Sequence, residues 1–451
     1  MEDAGLLHHH KIYKLYKIRW FVLSTVVMFN LANAMVWITF APVTNYVSAF
    51  FDITETTVNW FSLVFFIAFI PCCFASWWFM ETYGFKTAII IGSLVMFSGA
   101  LLRVLGVFLF KKPNICFIIT MIGQVLCATT QPLVLSMPTK VAALWFGDKE
   151  RTIANTIASM SNPLGVLIAN GVAVLLVKES RDVPYLVSIF SVPAYIGLVM
   201  AVIGVRSSSP PTPPSVSAEH EPESFFLGLK HVFRNRQFML LCATIGFGIG
   251  LFSTISTILQ QMICPQGYSN DIAGICGVMI IVGGFIGSFI SGIYIDRTRA
   301  YILVAKVMVL LFGLSTVAVM VVSAIPNQTP LLVISFFFFG FFALGVLPVM
   351  LELGVECTYP VDEATSSGMQ WMMGQIIGVF MMIGGLAFAP PLSLRQKLNS
   401  VCDIDHSSKL DPVDLTIPVL VMVSSGTIVV SLFVILFNTT YKRLNAENEN
   451  A

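Results

Sequence analysis

Charge is what this chain has least of. Only 11% of its 451 residues are Asp, Glu, Lys or Arg, against about a quarter in soluble globular proteins. So few charges cannot serve the surface of a water-soluble globule of this length, which excludes water as its main solvent. The 25 basic and 24 acidic residues leave a net charge of +1, so the electrostatic footprint of a nucleic-acid partner is missing. The nine cysteines include no CxxC pair, and three of the six histidines are the adjacent run His8-His9-His10. Neither pattern has the ligand spacing of a metal site, and no cofactor is expected. No nucleophile–base pairing stands out either, so an enzyme is not indicated.

What the chain has in quantity is apolar sequence, 56% of it. A bilayer core about 30 Å thick needs roughly 20 apolar residues per helical crossing. Runs of that length fall near 20–46, 58–78, 87–109, 114–139, 152–177 and 184–205, and again near 238–262, 272–295, 301–324, 331–352, 366–389 and 416–437. The expected fold is therefore an all-α polytopic membrane protein with about twelve spans in two six-helix bundles, 20–205 and 238–437. Residues 1–19 and 438–451 are polar tails. Between the bundles, 206–237 begins with Ser207-Ser208-Ser209-Pro210-Pro211-Thr212-Pro213-Pro214 and the acids Glu219, Glu221 and Glu223, which cannot pack a core. It continues into 225–236, where Phe226, Leu229 and Phe233 share one helical face opposite Lys230, Arg234 and Arg236, as in a short interfacial helix.

Orientation follows from lysine and arginine. Placing both tails in the cytoplasm puts Lys11, Lys14, Lys17, Arg19, Lys86, Lys140, Arg206, Arg297 and Lys442 on the inner side and leaves few basic residues outside. No cleavable leader is expected before the first span. Glu2 with Leu6-Leu7 has the shape of an acidic dileucine sorting signal, so plasma membrane and endolysosomal membrane both remain open. Cys264 and Cys402 then fall just outside the membrane on the oxidising side, where a disulfide and two free thiols are both allowed.

Two loops repeat one grammar, an apolar helix of small residues, an acid, basic residues, and another apolar helix. The first is Glu81-Thr82-Tyr83-Gly84-Phe85-Lys86; the second is Gly287 to Gly292 followed by Asp296-Arg297-Thr298-Arg299. Such repeats between spans point to a transporter built from two related bundles, with its substrate site near the midplane between them. Polar residues within spans mark that site, because each costs free energy to desolvate. Asn33 and Trp37, four residues apart, share one face of the first helix; Gln131 lies in the fourth span and Trp371 with Gln375 in the eleventh. The amides can bind a hydroxyl or a zwitterion, and Trp37 can hold an ammonium by cation–π attraction of about 0.5–2 kcal/mol. Interhelical hydrogen bonding is the alternative role for the glutamines, and an interface-belt position for Trp37. No acid lies in the middle of any span, which favours facilitated diffusion over proton coupling. Glu352 and Glu356 sit at the inner end of the tenth span and, with Lys140, Glu81, Lys86, Asp296, Arg297 and Arg299, are expected to form an inner gate that pairs in one conformation and separates in the other.

The repeated loops are degenerate copies of the signature loop of the major facilitator superfamily, with Glu81 where that pattern usually has Asp. Arg19-Trp20, Asn33 to Ile38, Asn59-Trp60-Phe61-Ser62, Gln131 with Met137-Pro138, Trp145-Phe146-Gly147, Glu352 to Glu356, Thr358-Tyr359-Pro360, Ser366-Ser367-Gly368 and Gln375 occur in an order that resembles solute carrier family 49, the family of the feline leukaemia virus subgroup C receptors. That resemblance implies a carrier that works as a monomer on a small organic solute of the choline or ethanolamine class. It also implies a departure. Where the receptors complete an aromatic cage with a tyrosine in the seventh helix, the run Gly250 to Ser256 places Ser253. Ser253 thus joins the expected substrate residues, and a less cationic solute comes into range. A haem carrier, earlier linked to the family, and a receptor or scaffold that keeps the fold without transport are the alternative readings.

Overall fold

A computed structural model describes residues 15–110, 112–212, 225–298, 300–358, 361, 363–402 and 413–440. The dileucine and the histidine run, most of the proline-rich linker, and Arg299 lie outside the described residues, as do the side chains of Asp296 and of residues 225–229. No β-strand occurs among the described residues; one isolated bridge joins Pro391 and Val413.

The spanning helices are numbered in chain order. In the first half they are α1 (Arg19–Ile38), α2 (60–83), α3 (85–109), α4 (Pro113–Thr129, continued by Gln131–Trp145), α5 (Asp148–Leu176) and α6 (Val183–Gly204). In the second half they are α7 (Arg236–Ile263), α8 (Asn270–Thr298), α9 (Tyr301–Ser323), α10 (Thr329–Thr358), α11 (Glu363–Ala387) and α12 (Thr416–Leu436). Among the described residues eleven segments are long and apolar enough to cross a membrane, and one of them, Glu55–Leu109, must cross twice. The helix Trp60–Leu109 would be about 75 Å long if continuous, more than twice the hydrocarbon thickness. Gly84 breaks it, with φ 79° and ψ 165°, a conformation that a side chain would strain. Twelve crossings result, in a multi-pass membrane protein. Residues 15–19 and 437–440 lie at one end of the molecule, here called the terminal end; the opposite end carries the disulfide.

Within the first half α1 packs on α5 and α6, and α3 on α4; within the second α8 packs on α10, α9 on α10 and α12, and α7 on α11. Close backbone approach makes these contacts, since lipid supplies no hydrophobic drive between helices. A Cβ on Gly99 would stand 2.6 Å from the Gly123 carbonyl oxygen, and one on Gly340 would overlap the Ile280 carbonyl. The halves meet along two seams. On one, α2 lies against α11, with Trp77 over Gly368 and Phe66 beside Gly378. On the other, α5 meets α8 toward the disulfide end, where Gly274 and Gly277 admit Val174 and Asn170.

The amphipathic helix of the linker is present as Phe225–Arg234; Val232 is buried and Phe233 exposed. Cys264 and Cys402 are bonded, so of the two states left open by the sequence the bridged one is found. The bridge ties the end of α7 to the α11–α12 connection, where Val401 N–H also donates to the Cys264 carbonyl at 3.2 Å.

Candidate functional site

Between the halves lies a cavity of about 1070 Å³, with walls from every spanning helix except α3 and α6. Asn33, Trp37, Gln131, Ser253, Trp371 and Gln375, drawn from α1, α4, α7 and α11, all stand on its wall. Their separation in sequence is bridged by the packing of the two halves, and all but the half-buried Trp371 are buried. Trp37 is flanked by Phe66 of α2, ring centroids 6.0 Å apart, so an aromatic corner forms in spite of the serine at 253.

This part of the wall is under-bonded. Asn33 Nδ2 and Oδ1, Trp37 Nε1, Gln131 Oε1 and Gln375 Oε1 are buried without a hydrogen-bond partner, and so is Asn30 Oδ1 beside them. A buried polar atom left unpaired costs about 1–3 kcal/mol. Six of them on one wall are therefore unexplained by stability alone and fit a surface that completes its bonds with something else. The amide nitrogens nearby do bond between helices: Gln124 of α4 donates to the carbonyls of Val36 and Phe61 at 3.2 and 2.9 Å, and Asn30 Nδ2 donates to those of Val26 and Val134, although Gln124 Oε1, off the cavity wall, is itself unpartnered.

Toward the disulfide end the cavity is shut by polar contacts between the halves that the sequence did not disclose. Asn59 and Gln261 exchange both amide bonds, Nδ2 to Oε1 at 2.9 Å and Nε2 to Oδ1 at 2.8 Å, and both side chains are buried. Asn270 Nδ2 donates to Asn45 Oδ1 at 2.8 Å while Gln260 Nε2 donates to Asn270 Oδ1 at 3.1 Å. Outermost, Lys178 Nζ meets Asp271 Oδ1 at 2.7 Å. The adjacent pair Gln260-Gln261 at the end of an apolar helix was the available signal.

Toward the terminal end the walls part. Thr139, Asn155 and Ile157 on one side and Phe289, Ile293, Leu351 and Glu352 on the other all line the cavity. Several of the expected gate residues lie at this end. Glu352 is on the wall and Glu356 is buried in the last turns of α10. Lys140 is half-buried near the end of α4. Glu81 and Lys86 flank the break at Gly84, where the Lys86 N–H donates to Ser208 Oγ at 3.1 Å; Arg297 is exposed. Arg19 and Glu150, both in the first half, form an ion pair at 2.6 Å.

One buried charge belongs to neither end of the cavity. Arg103 of α3 is fully buried, donates from Nη2 to Thr39 Oγ1 at 2.9 Å and stands 5.3 Å from the centroid of the Phe40 ring. It pins the break after α1 to α3.

Comparison with known proteins agrees with this architecture. The Major Facilitator Superfamily profile matches residues 26–390. Solute carrier family 49 member A3 of Danio rerio is 40% identical over 440 residues, 97% of this chain and 91% of that protein. Choline/ethanolamine transporter FLVCR2 of Homo sapiens is 30% identical over 388 residues, covering 82% of this chain and 72% of its own length. Among solved structures, a D-xylose-proton symporter superposes with a TM-score of 0.66 over 94% of this chain and 98% of its own, at 13% identity, a likeness of fold. With twelve crossings, a cavity between two bundles and these relatives, the chain belongs to solute carrier family 49 of the major facilitator superfamily.

Proposed function

We propose that the protein is a facilitative carrier for a small polar organic solute of the choline and ethanolamine class, which it moves by alternating access as a monomer. The observation that carries this reading is the group of unpartnered polar atoms on Asn33, Trp37, Gln131 and Gln375, which offers acceptors for a hydroxyl and an ammonium and donors for a hydroxyl oxygen. Trp37 and Phe66 supply aromatic surface for the cation. Glu352 is the one charged residue among the described lining residues, and its sign suits a cation entering from the terminal end. That a relative is named a choline/ethanolamine transporter supports the same class. The excess of basic residues at the terminal end supports a cytoplasmic placement of that end, in either the plasma membrane or an endolysosomal membrane. Glu81, Lys86, Lys140, Asp296, Arg297, Arg299, Glu352 and Glu356 form the gate that closes there in the opposite conformation.

Binding to the purified protein tests the reading. Choline or ethanolamine should bind saturably, Trp37→Ala and Gln375→Ala should each abolish that binding, and Ser253→Tyr should tighten choline by about 0.5–2 kcal/mol. Saturable binding that survives both alanine variants would move the substrate elsewhere.

A further inference from the structure

The cavity is much larger than its polar part needs. A head group of seven heavy atoms takes on the order of 200 Å³ at roughly 30 Å³ per water-sized group, whereas the cavity holds about 1070 Å³. Most of the remainder, toward the terminal end, is walled by apolar side chains, which a fully water-soluble solute leaves in contact with water. Part of that wall is open at the edge of the cavity. Ile153 and Ile157 of α5 and Phe289 and Ile293 of α8 line the cavity and are also 41% to 69% exposed. Between them stands Gly292, also on the wall, where an added Cβ would meet nothing within 4 Å. The opposite seam is filled, with Trp77 packed against Gly368.

Resting on the proposed carrier role, we infer that the substrate is a single-chain amino alcohol: a hydroxyl and an ammonium on one end of an aliphatic chain. The head occupies the wall of Asn33, Trp37, Gln131 and Gln375, and the chain runs over the apolar wall to the rim between α5 and α8, by which such a molecule passes to and from the bilayer. A phosphate-bearing head is disfavoured, because no lysine, arginine or histidine stands among the described lining residues to pair with it.

The test uses the full chain in lipid nanodiscs, with displacement of labelled ethanolamine by 2-amino-1,3-diols carrying saturated chains of increasing length, read against free aqueous concentration. Affinity should rise about threefold to fourfold per methylene over the first several carbons. Gly292→Trp should weaken the dodecyl ligand at least tenfold while changing ethanolamine less than twofold, which also reports that the variant is folded. Phe289→Ala should weaken the dodecyl ligand by a smaller factor. Affinity independent of chain length, or a Gly292→Trp effect equal on both ligands, overturns the chain site while ethanolamine binding keeps the carrier reading intact. Equal affinity for a single-chain phosphate ester of the same length overturns the head-group assignment. Failure of ethanolamine, choline and every amino alcohol to bind sinks the carrier reading itself, and this inference with it.

Discussion

At the disulfide end of the cavity the two halves meet through amides and one ion pair, whereas at the terminal end α5 and α8 part over isoleucine and phenylalanine. The polar bonds at the closed end are short and reciprocal, so each partner satisfies the other and no net charge is buried by the Asn59–Gln261 pair. A neutral clasp of this kind is cheap to form and cheap to open, because each amide can exchange its partner for water on separation. The apolar surfaces at the other end have no such exchange available. In water they are costly, and in contact with lipid or an aliphatic chain they are not. One end therefore suits a reversible latch, and the other, while open, presents a surface suited to an apolar environment.

The largest effect expected at the closed end comes from its covalent tie. Cys402→Ser removes the bridge to Cys264 across a sequence separation of 138 residues and should lower stability by about 2–5 kcal/mol. The expected readout is a lower thermal midpoint in non-reducing buffer. Adding reductant to the unaltered protein should move its midpoint to that of the variant, and a midpoint that stays put under full reduction would show that the bridge restrains nothing the fold does not already hold.

A smaller and more specific effect follows from the amide pair. Asn59→Ala leaves Gln261 buried with two unmet groups, at a cost of about 1–3 kcal/mol in the closed state alone. The population opened at the disulfide end should rise roughly tenfold to a hundredfold, read as distance distributions between spin labels on the ends of α1 and α7. Asn59→Leu combined with Gln261→Leu should return most of the closed population, because replacing both partners by apolar groups removes the orphan. A double variant no more closed than the single one would show that the clasp is incidental to closure.

How far this comparison could be seen in the sequence differs by level. Span positions were legible because apolar runs of the required length are dictated by the bilayer, and the break between α2 and α3 was readable from the acid and glycine in the segment Glu81 to Lys86. Five of the six residues expected on the wall were found as amides or tryptophans within apolar helices, and Ser253 came from the resemblance to the receptors; all six line the cavity. Asn59 and Gln261 were not legible as a pair: 202 residues separate them, and which amides face a partner and which face the cavity is decided by the rotation of whole helices. Phe66 was hidden by abundance, one of 37 phenylalanines in spans where the residue is ordinary filling. Arg103 stood out as a charge within the third span, but its partner Thr39 depends on the break after α1, which periodicity does not show.

The smallest expected effect belongs to the outermost contact. Lys178 and Asp271 join α5 to α8 across the halves at 2.7 Å, yet their side chains are 55% and 63% exposed. Water and salt screen such a pair, and holding two long side chains costs entropy, so its worth is about 0.2–1 kcal/mol. Lys178→Ala should shift the closed population by no more than about fivefold, and the shift should shrink as ionic strength rises from 0.05 to about 0.5 M. The amide pair one layer deeper carries no charge, so its effect should be insensitive to the same change in salt. If Lys178→Ala opened the disulfide end as far as Asn59→Ala does, and independently of salt, the latch would lie at the surface rather than in the buried amides.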